Sequence, residues 1–167
     1  TKGLPVYPFI PGHTRGEGLF MALLRKDGDS ALSQPRMPRV KAVDVKVKRE
    51  AEKWLKQPFG FDFVMQDDTL LAMPKEHTAA MLLLQQKLRV LHCALPLAGI
   101  KNGKLLPLHA LAMSTALDAS AFKVVEVERE QALSYLHREA MQFNEEPVGY
   151  LLLAYKGVPL GFVKNVG

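Results

Sequence analysis

The sequence predicts an α+β fold made of two small mixed domains, and two observations carry that reading. Apolar runs of period two flank tight-turn residues at Gln66-Asp67-Asp68, Lys101-Asn102-Gly103 and Lys156-Gly157, the signature of β-hairpins. Between them lie stretches whose apolar residues recur at helical spacing, such as Val47, Ala51, Trp54 and Leu55. The chain has 167 residues, 48% hydrophobic and 23% charged, enough to bury a core as one domain or two small ones.

In chain order, Pro5, Pro8, Pro11 and Gly12 make the opening irregular or an extended edge, and Leu19–Leu24 reads as a strand with no visible partner. Gly16-Glu17-Gly18 lacks the third glycine and the strand–helix context of a nucleotide loop, so it is read as structural. A polar, turn-rich linker, residues 27–35, follows. Val47–Pro58 reads as a helix that Asp44 can start and Pro58 stops, with Trp54 as a core anchor. Phe61–Met73 reads as a hairpin, and a helix is expected from Pro74, its stripe formed by Ala80, Met81, Leu84 and Leu88. Arg89–Leu97 reads as a strand, Lys104–Leu106 as the return strand after Asn102-Gly103, and Pro107 as the start of a short helix. Phe122–Val127 reads as a strand and Glu128–Glu139 as a helix with Ala132, Leu133, Tyr135 and Leu136 inside. Gly149–Gly167 closes as a hairpin. Leu151 and Leu153 point to one face and Leu152 and Ala154 to the other, so both faces should be covered.

The net charge is +5 and the pI about 9.4, which suits an anionic partner. Arg36, Arg39, Lys41, Lys46, Lys48 and Arg49 stand against Asp44 alone, so the surplus of the whole chain sits in one strip. That strip is either a solvated linker or a phosphate-contacting surface. One cysteine rules out an intrachain disulfide and a cysteine metal site, and it points to a reduced, cytosolic compartment. His13, His77, His92 and His137 form no metal-ligand spacing. No apolar run reaches the roughly 18–20 residues of a membrane helix, and the N-terminus lacks the layout of a signal peptide. The expectation is a cytoplasmic protein with no membrane partner.

Three segments carry a resemblance: F-x-PG-H-T-R-GEG-L-F-M-A-x-L-RK at Phe9–Lys26, the glycine, basic turn and P-x-HALA within Ala98–Met113, and GY-x-L-L-x-YKG-x-PLGF-x-K at Gly149–Lys164. Together they resemble the C-terminal region of the Nop/Sun family of RNA (cytosine-5) methyltransferases, in the bacterial branch that acts on small-subunit ribosomal RNA. The resemblance implies four parts. Residues 1–27 would be the end of the catalytic domain with its last strand, and 28–46 a basic linker. Residues 47–118 would be a central α+β domain, and 119–167 a PUA-like RNA-binding domain. Pro8 stands where the family usually has a basic residue.

The family's chemistry uses two cysteines and S-adenosylmethionine. Cys93 follows His92 rather than a proline, matches neither cysteine motif, and is read as buried and inert. The resemblance therefore implies an inactive segment that binds no cofactor, with S-adenosylmethionine held in a catalytic domain outside it. Its expected partners are ribosomal RNA or a ribosomal subunit and that catalytic domain. The expected RNA contacts are Arg36, Arg39, Lys41, Lys46, Lys156 and Lys164. His109 joins them as a structural or RNA-contacting residue, since no serine or carboxylate stands at triad spacing. The alternative is a scaffold that closes the catalytic domain without touching RNA.

Overall fold

The computed structural model describes residues 6–13, 15–22, 36–38, 42–143 and 146–167. They fall into two units, Thr1–Pro35 and Arg36–Gly167.

In the first unit, β1 (Val6–Phe9) pairs antiparallel with β2 (Leu19–Ala22), Val6 facing Ala22 and Phe9 facing Leu19. This corrects the expectation that Leu19–Leu24 has no partner: the proline-rich opening supplies one. Pro8 is tolerated because a two-stranded ribbon is all edge. All the strand residues are exposed, Leu19 at 68% and Phe20 at 65%. Gly16 and Gly18 lie in the connection between these strands, and a strand rather than a helix follows them. Leu23, Leu24 and the linker lie outside the described residues.

The second unit begins with α1 (Val45–Glu52). The Asp44 carboxylate caps it, accepting from the amides of Lys46 at 2.8 Å and Val47 at 3.3 Å. Asp44 and Lys46 of the expected linker are thus already the cap and first turn of a helix. The helix ends at Glu52, not Pro58. Leu55 forms a bridge with Leu117, the Lys56 amide donates to Ala116 and the Asp118 amide to Trp54. Pairing with that distant segment pulls the chain out of the helix. Trp54 is buried as expected, at 8% exposure.

A four-stranded antiparallel sheet follows, β3 (Phe61–Gln66), β4 (Thr69–Pro74), β5 (Leu95–Lys101) and β6 (Lys104–Pro107) in that order. Three expectations shift here. Pro74 closes β4 opposite Phe61 instead of opening a helix, and α2 runs Thr78–Gln85. Met81 and Leu82 pack against Val64, Leu71 and Met73, whereas Ala80, Leu84 and Leu88 are exposed. The strand expected at Arg89–Leu97 starts only at Leu95, because the ladder with β4 begins there. Cys93 lies in the preceding connection, half-buried, with the Gln85 side-chain amide 3.0 Å from its sulfur. Pro107 ends β6 opposite Ala98, and the short α3 (His109–Ala112) begins after Leu108.

The terminal sheet has the order β7 (Lys123–Glu126), β8 (Gly149–Tyr155), β9 (Val158–Asn165). β7 runs parallel to β8, and α4 (Arg129–Leu136) makes the crossover. The Glu128 amide donates to the Gln131 side chain at 3.1 Å, fixing the start of α4. β8 and β9 join through Lys156-Gly157, both at positive φ, the two-residue turn that matches strand twist. β8 is buried on both faces, as its pattern demanded. Leu152 joins a cluster with Trp54, Leu70, Leu97 and Leu111, and Leu153 packs with Val127 and Ala132 under α4. The rings of Trp54 and Phe122 lie 5.2 Å apart and those of Phe122 and Phe162 4.7 Å apart. The boundary expected at 118/119 thus divides the two sheets but runs through a continuous apolar core.

The β8–β9 ladder slips at Leu153/Ala154, leaving Leu160 as an extra residue beside Gly161. Gly161 has φ of +153°, and a Cβ there would overlap the Tyr135 hydroxyl and come within 2.8 Å of His109 Nδ1. Only glycine lets these two side chains lie against the strand.

Two outcomes follow for stability. Leu152→Ala should cost about 2–5 kcal/mol. Urea transitions read by Trp54 fluorescence and by far-ultraviolet dichroism should still coincide; split midpoints would mean two independent cores. Gly161→Ala should cost about 1–3 kcal/mol through its backbone geometry and the displaced tyrosine, read as a lowered Tm.

Candidate nucleic-acid interface

A cleft of about 880 Å³ opens beside the terminal sheet. Its walls are the end of α4 with the chain leaving it, the last residues of β9, and His109 at the start of α3. α4 stops because Arg138 turns to φ 63°. The Arg138 amide then donates to Tyr135 and the Glu139 amide reaches back to Ser134, each at 3.0 Å. That paired closure satisfies the last carbonyls and redirects the chain along the cleft. The strap from Ala140 to Phe143 forms the outer wall.

Asn165 fixes the strap. Its side-chain nitrogen lies 3.1, 2.9 and 3.3 Å from the carbonyl oxygens of Phe143, Glu146 and Pro147. With two N–H groups for three acceptors, at least one proton is shared. Lys123 adds an ion pair to Glu146 at 3.4 Å. The inner wall carries Tyr135, held by the glycine gap at position 161. Burial pushes its phenol pKa above the ordinary value, so the hydroxyl keeps its proton and its donor capacity at neutral pH. Arg138 and Lys164 supply positive charge; Glu139, the carboxylate of the lining, has His137 Nδ1 at 3.7 Å.

Of the residues expected to touch RNA, His109 and Lys164 come together in this cleft. Lys156 does not join them. It sits at the other end of the hairpin, roughly 25 Å away by strand rise, with its ammonium 5.4 Å from the centre of the Tyr155 ring. Lys46 lies on α1 beside a smaller hollow of about 400 Å³, among Asp44, Glu50, Asp67 and Asp68. The negative charge of that lining is unfavourable for a phosphate. Arg36 is exposed; Arg39 and Lys41 lie outside the described residues. Among the described residues, no three of His, Cys, Asp and Glu gather as metal ligands.

Sequence reasoning passed over four cleft residues. The sequence places Tyr135 only on a helix inner face and assigns no site role to Arg138, Phe143 or Asn165. One local signal was present. A glycine inside the strand pattern of PLGF marks a close approach or bulge, and the cleft's inner wall is built on it.

Comparison with known proteins bears on the same region. Residues 122–167 match the family model described as Methyltransferase RsmF PUA domain. The chain is also 28% identical, over an alignment of 162 residues, to the ribosomal RNA small subunit methyltransferase F of Shewanella sediminis (strain HAW-EB3). That alignment covers 90% of this chain and 33% of that protein, so the chain spans about a third of the length of this curated relative. The matched segment takes in β7, α4, β8 and β9 and nearly the whole cleft; His109 alone comes from outside it. The match over residues 122–167 to a PUA domain agrees with the resemblance read from the sequence.

Proposed function

We propose that this chain is the RNA-binding, substrate-positioning part of a methyltransferase that modifies cytosine C5 of small-subunit ribosomal RNA. The observation that supports this most is the preformed cleft, with Arg138 and Lys164 on its lining, inside the segment that matches a methyltransferase PUA domain. The name of the relative adds the substrate class. The chain would grip structured RNA through shape and phosphate and present a cytosine to a catalytic domain outside it. A paired target must leave its stack to reach the nucleophile. The compartment proposed is the cytoplasm.

S-adenosylmethionine supplies the methyl group when bound to such an enzyme, and two features of this chain argue for a site outside it. Gly16 and Gly18 connect two antiparallel strands, so a strand rather than a helix N-terminus directly follows them. Cys93 sits beside an amide donor in a half-buried connection, away from the cleft. The chain alone should not methylate RNA.

A second reading has its own support. The β1–β2 ribbon exposes Val6, Tyr7, Phe9, Leu19, Phe20 and Met21, more apolar surface than a ribbon of two strands carries unaided. It fits a scaffold that completes the catalytic domain's sheet. The two roles separate in one titration of the chain with a small-subunit ribosomal RNA fragment against salt. RNA binding should weaken as salt rises, and Arg138→Asn with Lys164→Ser should flatten the log–log slope by about 2. Charge reversal at Arg39, Lys41 and Lys46 should flatten it further if the basic strip contacts phosphate. No measurable affinity at low salt would favour the scaffold.

A further inference from the structure

The cleft carries little positive charge for seating a duplex backbone. A tract of phosphates takes on the order of 6–10 cationic contacts. Here the lining offers Arg138 and Lys164 as permanent cations, with Glu139 opposing them. Lys156 and Lys46 lie at other places on the fold. The volume of about 880 Å³ falls in the range of about 300–1,000 Å³ typical of small-molecule sites. Its lining combines aromatic surface, from Tyr135 and Phe143, with hydrogen-bonding groups on Tyr135 and His109. That mixture matches an unstacked base and its own phosphate better than it matches a helix.

The site is also built before any ligand arrives. Asn165 ties the strap that carries Phe143, and Gly161 admits the Tyr135 hydroxyl and His109 against β9. Two walls from distant parts of the chain, His109 and the α4–β9 face, are held at a set separation, which lowers the ordering cost of binding. We propose that the cleft takes one unpaired nucleotide of the RNA, with its base among Tyr135, Phe143 and His109 and its phosphate at Arg138 or Lys164. This rests on the RNA-binding reading above and adds to it the single-stranded element that the terminal domain selects.

The test uses the full chain and two RNA hairpins of equal length and charge. One is fully paired, and the other carries a single bulged 2-aminopurine. Fluorescence anisotropy should show about tenfold tighter binding of the bulged hairpin, the worth of one stacked base. The 2-aminopurine emission should change on binding. Phe143→Ala and the exposed pair Arg138→Asn and Lys164→Ser should each reduce the preference for the bulge at least several-fold. Unchanged thermal melts of the second variant would separate that loss from unfolding. Equal affinity for the two hairpins with unaltered emission would overturn the single-nucleotide site while leaving RNA binding standing. No binding of either hairpin at low salt would remove both.

Discussion

The stack of Trp54, Phe122 and Phe162 is the constraint on which the second unit depends. Each ring comes from a different element: Trp54 from the turn after α1, Phe122 from the entry to β7, Phe162 from β9. Around them Leu152 and Leu111 complete one apolar body beneath two separate sheets. Each sheet also has a smaller cluster of its own, but the largest core spans both. The three-stranded sheet buries Leu152 only because the other sheet's helices cover it, and Trp54 finds its aromatic partner only in the terminal segment. Burial of this kind contributes about 25 cal/mol per Å² of apolar surface, so the joint between the sheets holds much of the stability.

That joint also fixes the cleft. α3 follows β6 of the four-stranded sheet and packs against β9 of the other. His109 therefore reaches a pocket whose remaining lining comes from the terminal domain. The imidazole stands where it does because two sheets share a core, and the tyrosine beside it stands where it does because residue 161 has no side chain.

What the sequence made legible follows physical range. The three hairpin turns were readable because a two-residue turn is decided by its own residues: Asp67, Asn102 and Lys156 all adopt positive φ, as local chemistry permits. The two-sided burial of β8 was readable because its faces alternate without a polar break. Helix ends were not. The pattern at Val47–Leu55 is helical, yet Trp54 and Leu55 leave the helix to meet Leu117 and Asp118, partners some 60 positions on. Pro74 and Pro107 look like helix starts, but each sits at a strand terminus, where a missing N–H costs nothing. The site was half legible. His109 and Lys164 stood out by type, whereas Asn165 works through three carbonyls gathered by the fold, and no spacing rule announces that.

The parallel pairing of β7 with β8 bears on biosynthesis. Residues 123–126 have no strand partner until residues 151–154 exist, and the aromatic stack waits for Phe162. A nascent chain would hold Trp54, Leu70 and Leu97 beneath an uncovered sheet until the β8–β9 hairpin left the ribosome. During that interval the apolar underside is open to chaperones and to neighbouring chains, so β8 and β9 act as the lid that covers the strands made before them.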